Sequence, residues 1–251
     1  MVRRSGFNTP LTAGQVTGSL KGGYLCMMKL MAQFLFVGLL ILGSRYIVLA
    51  QETADPAARK VLNQVKAHYD KPAAMQLDLQ LTVTPSEQKP EVQKGKLISQ
   101  GEKYHLDLGP QTWYCDGKTV WIHLRDQKEV QIHNARDESG NTNFLTPRDI
   151  LKRYDSGDYI YALLGTGVEN KRPVRYIEFK PKDRNDEFFK LRLSVDAKTP
   201  EIVRFEAFAR DGSRYVLDIL QARSDVKVSP DQFVFKPAAH PGVAVEDLRL
   251  N

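Results

Sequence analysis

Cysteine is almost missing from this 251-residue chain. Of its two cysteines, Cys26 and Cys115, only the second lies beyond the first fifty residues. That excludes an internal disulfide from the later part and any cysteine-rich zinc site. Histidine patterns that hold metals are missing too. His68, His105, His123, His133 and His240 form no HExxH and no pair at ligand spacing on a helix. His105, His123 and His133 could meet only if their strands are neighbours, so neither a metal nor a cofactor is expected. There is no GxSxG elbow, and Gly165-Thr166-Gly167 lacks the third glycine of a dinucleotide fingerprint. Carboxylates are plentiful, yet nothing selects a glycosidase-like pair. The triplet Gly117-Lys118-Thr119 resembles the end of a P-loop, but Thr112 stands where the first glycine is required. The residues after it, Val120-Trp121-Ile122, favour a strand over the helix that would meet the phosphates. A tight hairpin turn centred on Asp116-Gly117 is the plainer reading. No catalytic residue emerges, and a non-enzymatic protein is expected.

Acidic residues are absent from the first fifty positions, which hold Arg3, Arg4, Lys21, Lys29 and Arg45. The remaining 31 basic residues stand against 30 acidic ones. The formal charge of +6 therefore comes mostly from the N-terminal stretch, and no nucleic-acid partner is expected. A run long enough to span a membrane is also lacking: Leu30 to Leu42 falls short of the roughly 20 apolar residues required. With Lys29 before it and Val48-Leu49-Ala50 after it, residues 27–50 read as a signal peptide cleaved after Ala50, with an uncleaved anchor as the alternative. Residues 1–26 read as upstream sequence or an extended leader. Cys26 precedes the apolar run, so it is not an acylation site. An exported, soluble domain over 51–251 is expected.

What the chain does contain is alternation. One helical segment comes first, DPAARKVLNQVKAHYD, with Asp55 as N-cap, Pro56 at the first helical position, and Ala58, Val61, Leu62, Val65 and Tyr69 on one face. In MQLDLQLTVT, Met75, Leu77, Leu79, Leu81 and Val83 then share one face and Gln76, Asp78, Gln80 and Thr82 the other. Strand-like segments follow at short intervals to Gln232–Phe235, interrupted by one further helix in FLTPRDILKRYDSGD, with Thr146 as N-cap and Asp149 as an approximate capping-box partner. The fold class is mainly β: an unclosed antiparallel half-barrel of about eleven strands, with two helices as the only cover for its concave face. In KYHLDL, Tyr104, Leu106 and Leu108 share a face; in TVWIHL, Val120, Ile122 and Leu124 share one and Trp121 takes the other. So many apolar side chains exceed what two short helices cover, and the surplus suits a ligand cavity.

Five segments carry a family likeness: the first helix with its alternating strand, Gly95-Lys96-Leu97, the hairpin DGKTVWIHLRDQKEVQIH, the lid-like NFLTPRDIL, and the ending FVFKPAAHPGVAVEDL. In this order they resemble the periplasmic outer-membrane lipoprotein carrier family, across nearly all of 51–251. The resemblance implies an unclosed barrel with a helical lid and a carrier without catalytic activity. It would take acylated lipoproteins from an inner-membrane lipoprotein-releasing ABC transporter to an outer-membrane receptor, as a periplasmic monomer. It also suggests Leu77, Leu79, Leu81, Val83, Tyr104, Leu106, Trp113 and Trp121 as acyl-chain cavity residues and Leu145, Ile150 and Leu151 as the lid. Family members often place an Arg-Pro pair after the Gly-x-Leu segment, with the Arg linked to lid closure. Here Gln100-Gly101-Glu102 occupies that region, so a latch must be weaker or use other groups. An envelope-sensing lipoprotein-binding domain is an alternative, and an exported hydrolase a more distant one, marked by convergent acid and base groups inside the cavity.

Overall fold

Asp55 starts the first helix as its spacing predicts, its carboxylate accepting from the Ala57 N–H at 2.8 Å in the computed structural model, which describes residues 55–135 and 147–249. The signal peptide, the N-cap at Thr146 and the lid residue Leu145 lie outside the described residues, as does the side chain of Asp149. Helix α1 runs Pro56–Asp70 and buries Ala58, Val61, Leu62, Val65 and Tyr69, the face its periodicity marks. Helix α2 runs Pro147–Asp155.

The strands are β1 (Met75–Thr84), β2 (Glu91–Gln100), β3 (Lys103–Leu108), β4 (Gln111–Cys115), β5 (Thr119–Leu124), β6 (Glu129–Asn134), β7 (Tyr159–Glu169), β8 (Arg172–Pro181), β9 (Phe188–Asp196), β10 (Ile202–Ala209), β11 (Arg214–Ser224) and β12 (Ala244–Asp247). All twelve join one sheet in the order β12-β6-β5-β4-β3-β2-β1-β11-β10-β9-β8-β7. Its edges, β12 and β7, do not pair, so the half-barrel stays unclosed. Two details depart from expectation. Gln232–Phe235 is not a strand: Pro230–Phe233 forms a 3-10 turn, where Pro at the first position fixes φ and withholds an N–H. The twelfth strand comes later, and it pairs with β6 in parallel, because the C-terminal segment returns along the outer face before reaching the edge.

The hairpin between β4 and β5 is centred on Gly117-Lys118 rather than Asp116-Gly117. The Asp116 carboxylate accepts from the N–H groups of Lys118 and Thr119, both at 2.8 Å, while Gly117 takes φ +93°. Asp116 thus closes the turn as an Asx residue, and the glycine supplies the left-handed backbone. Nothing in this turn cradles a phosphate.

At the end of β9, Asp196 organises a second turn. Its carboxylate accepts from Lys198 N at 2.8 Å, Thr199 N at 3.0 Å and Arg172 at 2.9 Å, and Arg172 reaches Glu201 at 2.6 Å. Burial pushes the Asp196 pKa up, but the two N–H donors and Arg172 outweigh it and hold the group down at about 2. A depressed carboxylate pKa stabilises the fold above the ordinary aspartate value and loses that contribution as pH falls from about 4 towards 2. Asp196→Asn is therefore expected to cost at most about 2 kcal/mol at neutral pH. Urea unfolding should show wild type and variant converging near the acid end; a constant difference across pH would contradict the linkage.

Candidate ligand-binding face

Directly paired residues of an antiparallel ladder point to the same side, so the register assigns the faces. One inner row reads Leu77, Leu97, Leu106, Trp113, Ile122 across β1 to β5. A second reads Leu81, Leu217, Phe205, Leu193, Ile177, Leu163 across β1, β11, β10, β9, β8 and β7. Both helices cover this inner face. Leu77, Leu79 and Leu106 are buried among α1 residues Val61, Leu62 and Val65 and α2 residues Ile150, Leu151 and Tyr154. Around that core lie half-buried Leu81, Tyr104, Trp113, Leu163 and Tyr215. Val83, Ile122 and Leu124 are half-buried on the same side.

Trp121 departs from this set. The ladder pairs it with Tyr114 and Ile132, one residue out of phase with Ile122, so it belongs to the outer face. Alternation relates a residue to its strand neighbours but does not choose the side. Leu108 and Ile122, which share faces with Leu106 and Leu124 in the sequence, join the inner face, as do Leu97, Leu163 and Tyr215, which the sequence does not mark as cavity residues. Gly95 lies between Leu79 and Leu108 on this face. A Cβ there would stand 2.5 Å from the Asp107 carbonyl oxygen and 2.8 Å from Leu108 Cδ1, which accounts for a glycine inside a strand.

The helices are tied unequally. On the β7 side, the Asp55 N–H donates to Tyr161 O at 3.0 Å and the Asp55 carboxylate accepts from Leu163 N at 3.0 Å. Arg59 Nε donates to the Tyr161 hydroxyl at 3.0 Å. Between helices, Lys66 meets Asp155 at 2.5 Å and the Tyr154 hydroxyl donates to Asn63 at 3.1 Å. Towards β2 and β3, Lys152 meets Glu102 at 3.0 Å between well-exposed side chains. An exposed pair of that kind contributes little, at most about 1 kcal/mol. Glu102 closes the Gln100-Gly101-Glu102 segment, which holds no arginine, and the cation it meets comes from α2.

The buried carboxylates Glu206 and Asp218 lie on the other face, while Glu129, paired with Leu124, and Arg175, paired with Val195, fall on the inner side. Buried Glu206 pairs with Arg214, buried Asp218 with Arg204 at 2.7 Å, and Arg204 also meets Glu169 at 2.5 Å. Farther along, the C-terminal strap lays Phe233 and Phe235 on the outer side of β3 to β5. Phe235 stacks on His240 with ring centroids 4.9 Å apart and lies 5.4 Å from His123. Burial lowers the His123 pKa below the usual imidazole value, with His240 and Arg125 pushing the same way. His105 stacks on Tyr114 in the same cluster. His133, by contrast, pairs with Val120 on the inner side. No group of three or more metal-binding side chains occurs among the described residues.

A family model described as the outer membrane lipoprotein carrier protein LolA matches residues 79–236. The chain belongs to this family. Its matched span runs from Leu79 on the inner face to Lys236 in the strap, so it takes in both the apolar inner face and the outer strap. A search of curated proteins finds no match. Among solved structures, an uncharacterized conserved protein from Thermus thermophilus is 11% identical, covering 76% of this chain and 99% of its own, with a TM-score of 0.52. A LolA superfamily protein from Nitrosomonas europaea is 13% identical over 71% of this chain and 97% of its own, with a TM-score of 0.39. The Mycobacterium tuberculosis lipoprotein LppX is 13% identical over 70% of this chain and all of its own, with a TM-score of 0.44. At these identities the likeness is one of fold, and only the first is close enough to bear on it.

Proposed function

We propose that the protein is a periplasmic carrier that holds the acyl chains of lipoproteins between the inner face of the half-barrel and its helices. The observation that supports this is the separation of chemistry across one sheet. The inner face from β1 to β5 is a continuous apolar surface with half-buried residues at its rim. The buried carboxylates Asp218 and Glu206 belong to the outer face. A hydrolase would need acid and base groups convergent on the bound chain, whereas a carrier needs only apolar contact that is lost again on release.

Acyl chains gain about 0.8 kcal/mol per buried CH₂, so they require a sheltered path across water. They must also leave. With the described helices tied by hydrogen bonds on the β7 side and by the exposed Lys152–Glu102 pair towards β2 and β3, opening is expected to expose β1 to β5 while α1 stays attached to β7. Space for the chains then comes from displacing α2 from Leu79, Leu97 and Leu106, with Trp113 and Ile122 as the first contacts. Cargo would be loaded at an inner-membrane lipoprotein-releasing transporter and passed to an outer-membrane receptor.

A fluorescent fatty acid titrated into the purified protein provides the first test. Trp113→Glu, at the half-buried rim, is expected to weaken probe binding about tenfold or more, since it places a charge against acyl chain. Gln80→Lys on the outer face should change it less than about twofold. Equal loss in both variants would remove the inner face from the site. Extraction of a triacylated lipoprotein from inner-membrane vesicles containing the exporter then separates a carrier from a sensor, which would bind cargo without extracting it.

A further inference from the structure

Phe189 and Phe208 lie on the outer face of β9 and β10 with ring centroids 6.2 Å apart, and Phe189 remains 43% exposed. Three cations converge on the Phe208 ring: Lys190 Nζ at 4.2 Å from its centroid, the Arg214 guanidinium at 5.2 Å and that of Arg192 at 5.9 Å. The carboxylates that offset them lie deeper. Glu206, paired with Arg214, has a side chain 3% exposed against 48% for its partner, and Glu178 meets Arg192 at 3.3 Å from a similarly sheltered position. Lys190 makes no ion pair among the described residues. Around the Phe208 ring the paired acids Glu206 and Glu178 therefore lie against the sheet and the cations towards solvent, while Glu187, two residues before Phe189, is exposed. In the adjoining turns, Asp183, Asp186 and Asp211 accept hydrogen bonds from Asn185, Phe188 and Ser213 of their own turns.

The strands beneath are interior ones with both edges paired, so the patch is a broad surface without a groove or a free edge for a peptide strand. An exposed aromatic ring among outward cations is the combination that suits a lipid–water interface with negative headgroups. We propose that the outer face centred on Phe189, Lys190, Phe208 and Arg214 docks the protein on an anionic phospholipid surface. This does not depend on the acyl-binding reading, because the two use opposite faces of the sheet.

Sedimentation of the full chain with vesicles tests it, comparing phosphatidylcholine alone with phosphatidylcholine mixed with phosphatidylglycerol. Wild type should prefer the mixed vesicles, and the preference should fade as salt rises. Lys190→Glu is expected to lower binding to mixed vesicles roughly tenfold, and Phe189→Ser also to lower it. Lys94→Glu makes the same change in net charge on the exposed outer side of β2 and should alter binding less than about twofold. Circular dichroism checks that each variant is folded. An equal loss in Lys94→Glu would overturn the proposal in favour of overall charge, and equal binding to both vesicle types would overturn it outright. Binding of an acidic peptide or an oligonucleotide that disappears in Lys190→Glu, without any vesicle preference, would replace the bilayer by that partner. The fatty-acid titration on the same samples keeps the two readings apart: loss of probe binding in wild type leaves the vesicle result standing, and the reverse holds too.

Discussion

Phe233→Ala is expected to lower the free energy of unfolding by about 3–5 kcal/mol, the usual cost of removing a fully buried phenyl ring. Phe233 is 0% exposed although it belongs to a short C-terminal turn outside the helices and the main core. Its turn packs on the outer side of β3 and β4. Phe235 continues the contact onto Tyr114 and His123, and the chain then supplies β12 to the edge strand β6. The strap is thus a second small core on a face that an antiparallel sheet usually leaves to water. Urea denaturation measures the loss, with exposed Val245→Ser as a control expected within about 0.5 kcal/mol of wild type. A loss below about 1 kcal/mol for Phe233→Ala would mean that the strap is not a packed part of the fold.

Gly95→Ala should be the other large effect, and its sign is the informative part. Where the backbone tolerates a side chain, replacing glycine by alanine stabilises by about 0.4–1 kcal/mol, because it restricts the unfolded chain. Here the new methyl would stand 2.5 Å from the Asp107 carbonyl oxygen, a backbone atom held in the β2–β3 ladder. Relief requires the strands to part beside Leu97 and Leu106, in the middle of the inner face. A destabilisation of about 2 kcal/mol or more follows, within the range for forced overpacking. Thermal unfolding decides it: an unchanged or raised midpoint would show that β3 yields without cost. Gly95→Ala should also bind the fatty-acid probe less well, since Gly95 lies on the surface proposed to hold it.

The structure also changes how the inner face can be probed. Leu106 invites a charge substitution from its place in the alternation, but it is fully buried beneath the helices. A charge there would unfold the protein before it reported on binding. Trp113, in register with Leu106 on the neighbouring strand and only half-buried, carries the same information without that penalty.

Local order was legible wherever a short-range period had a physical cause. The five buried residues of α1, its cap at Asp55, the alternation of β1 and the glycine turn after Asp116 follow from the geometry of single elements. So did the mainly β class, because many short alternating segments with few helices leave little else to build. The family likeness was also legible, since its segments keep their order along the chain. Three things were settled only by tertiary structure. The side occupied by Trp121 depended on which strand pairs with which, as alternation is blind to the choice of face. The fate of the chain around Pro230 to Phe235 depended on the outer surface it covers, where Phe233 packs as part of a turn and not as a strand. The pair of Lys152 with Glu102 joins residues far apart in sequence, and no spacing rule reaches across a fold. Periodicity determined which side chains travel together; long-range register and packing decided what they meet.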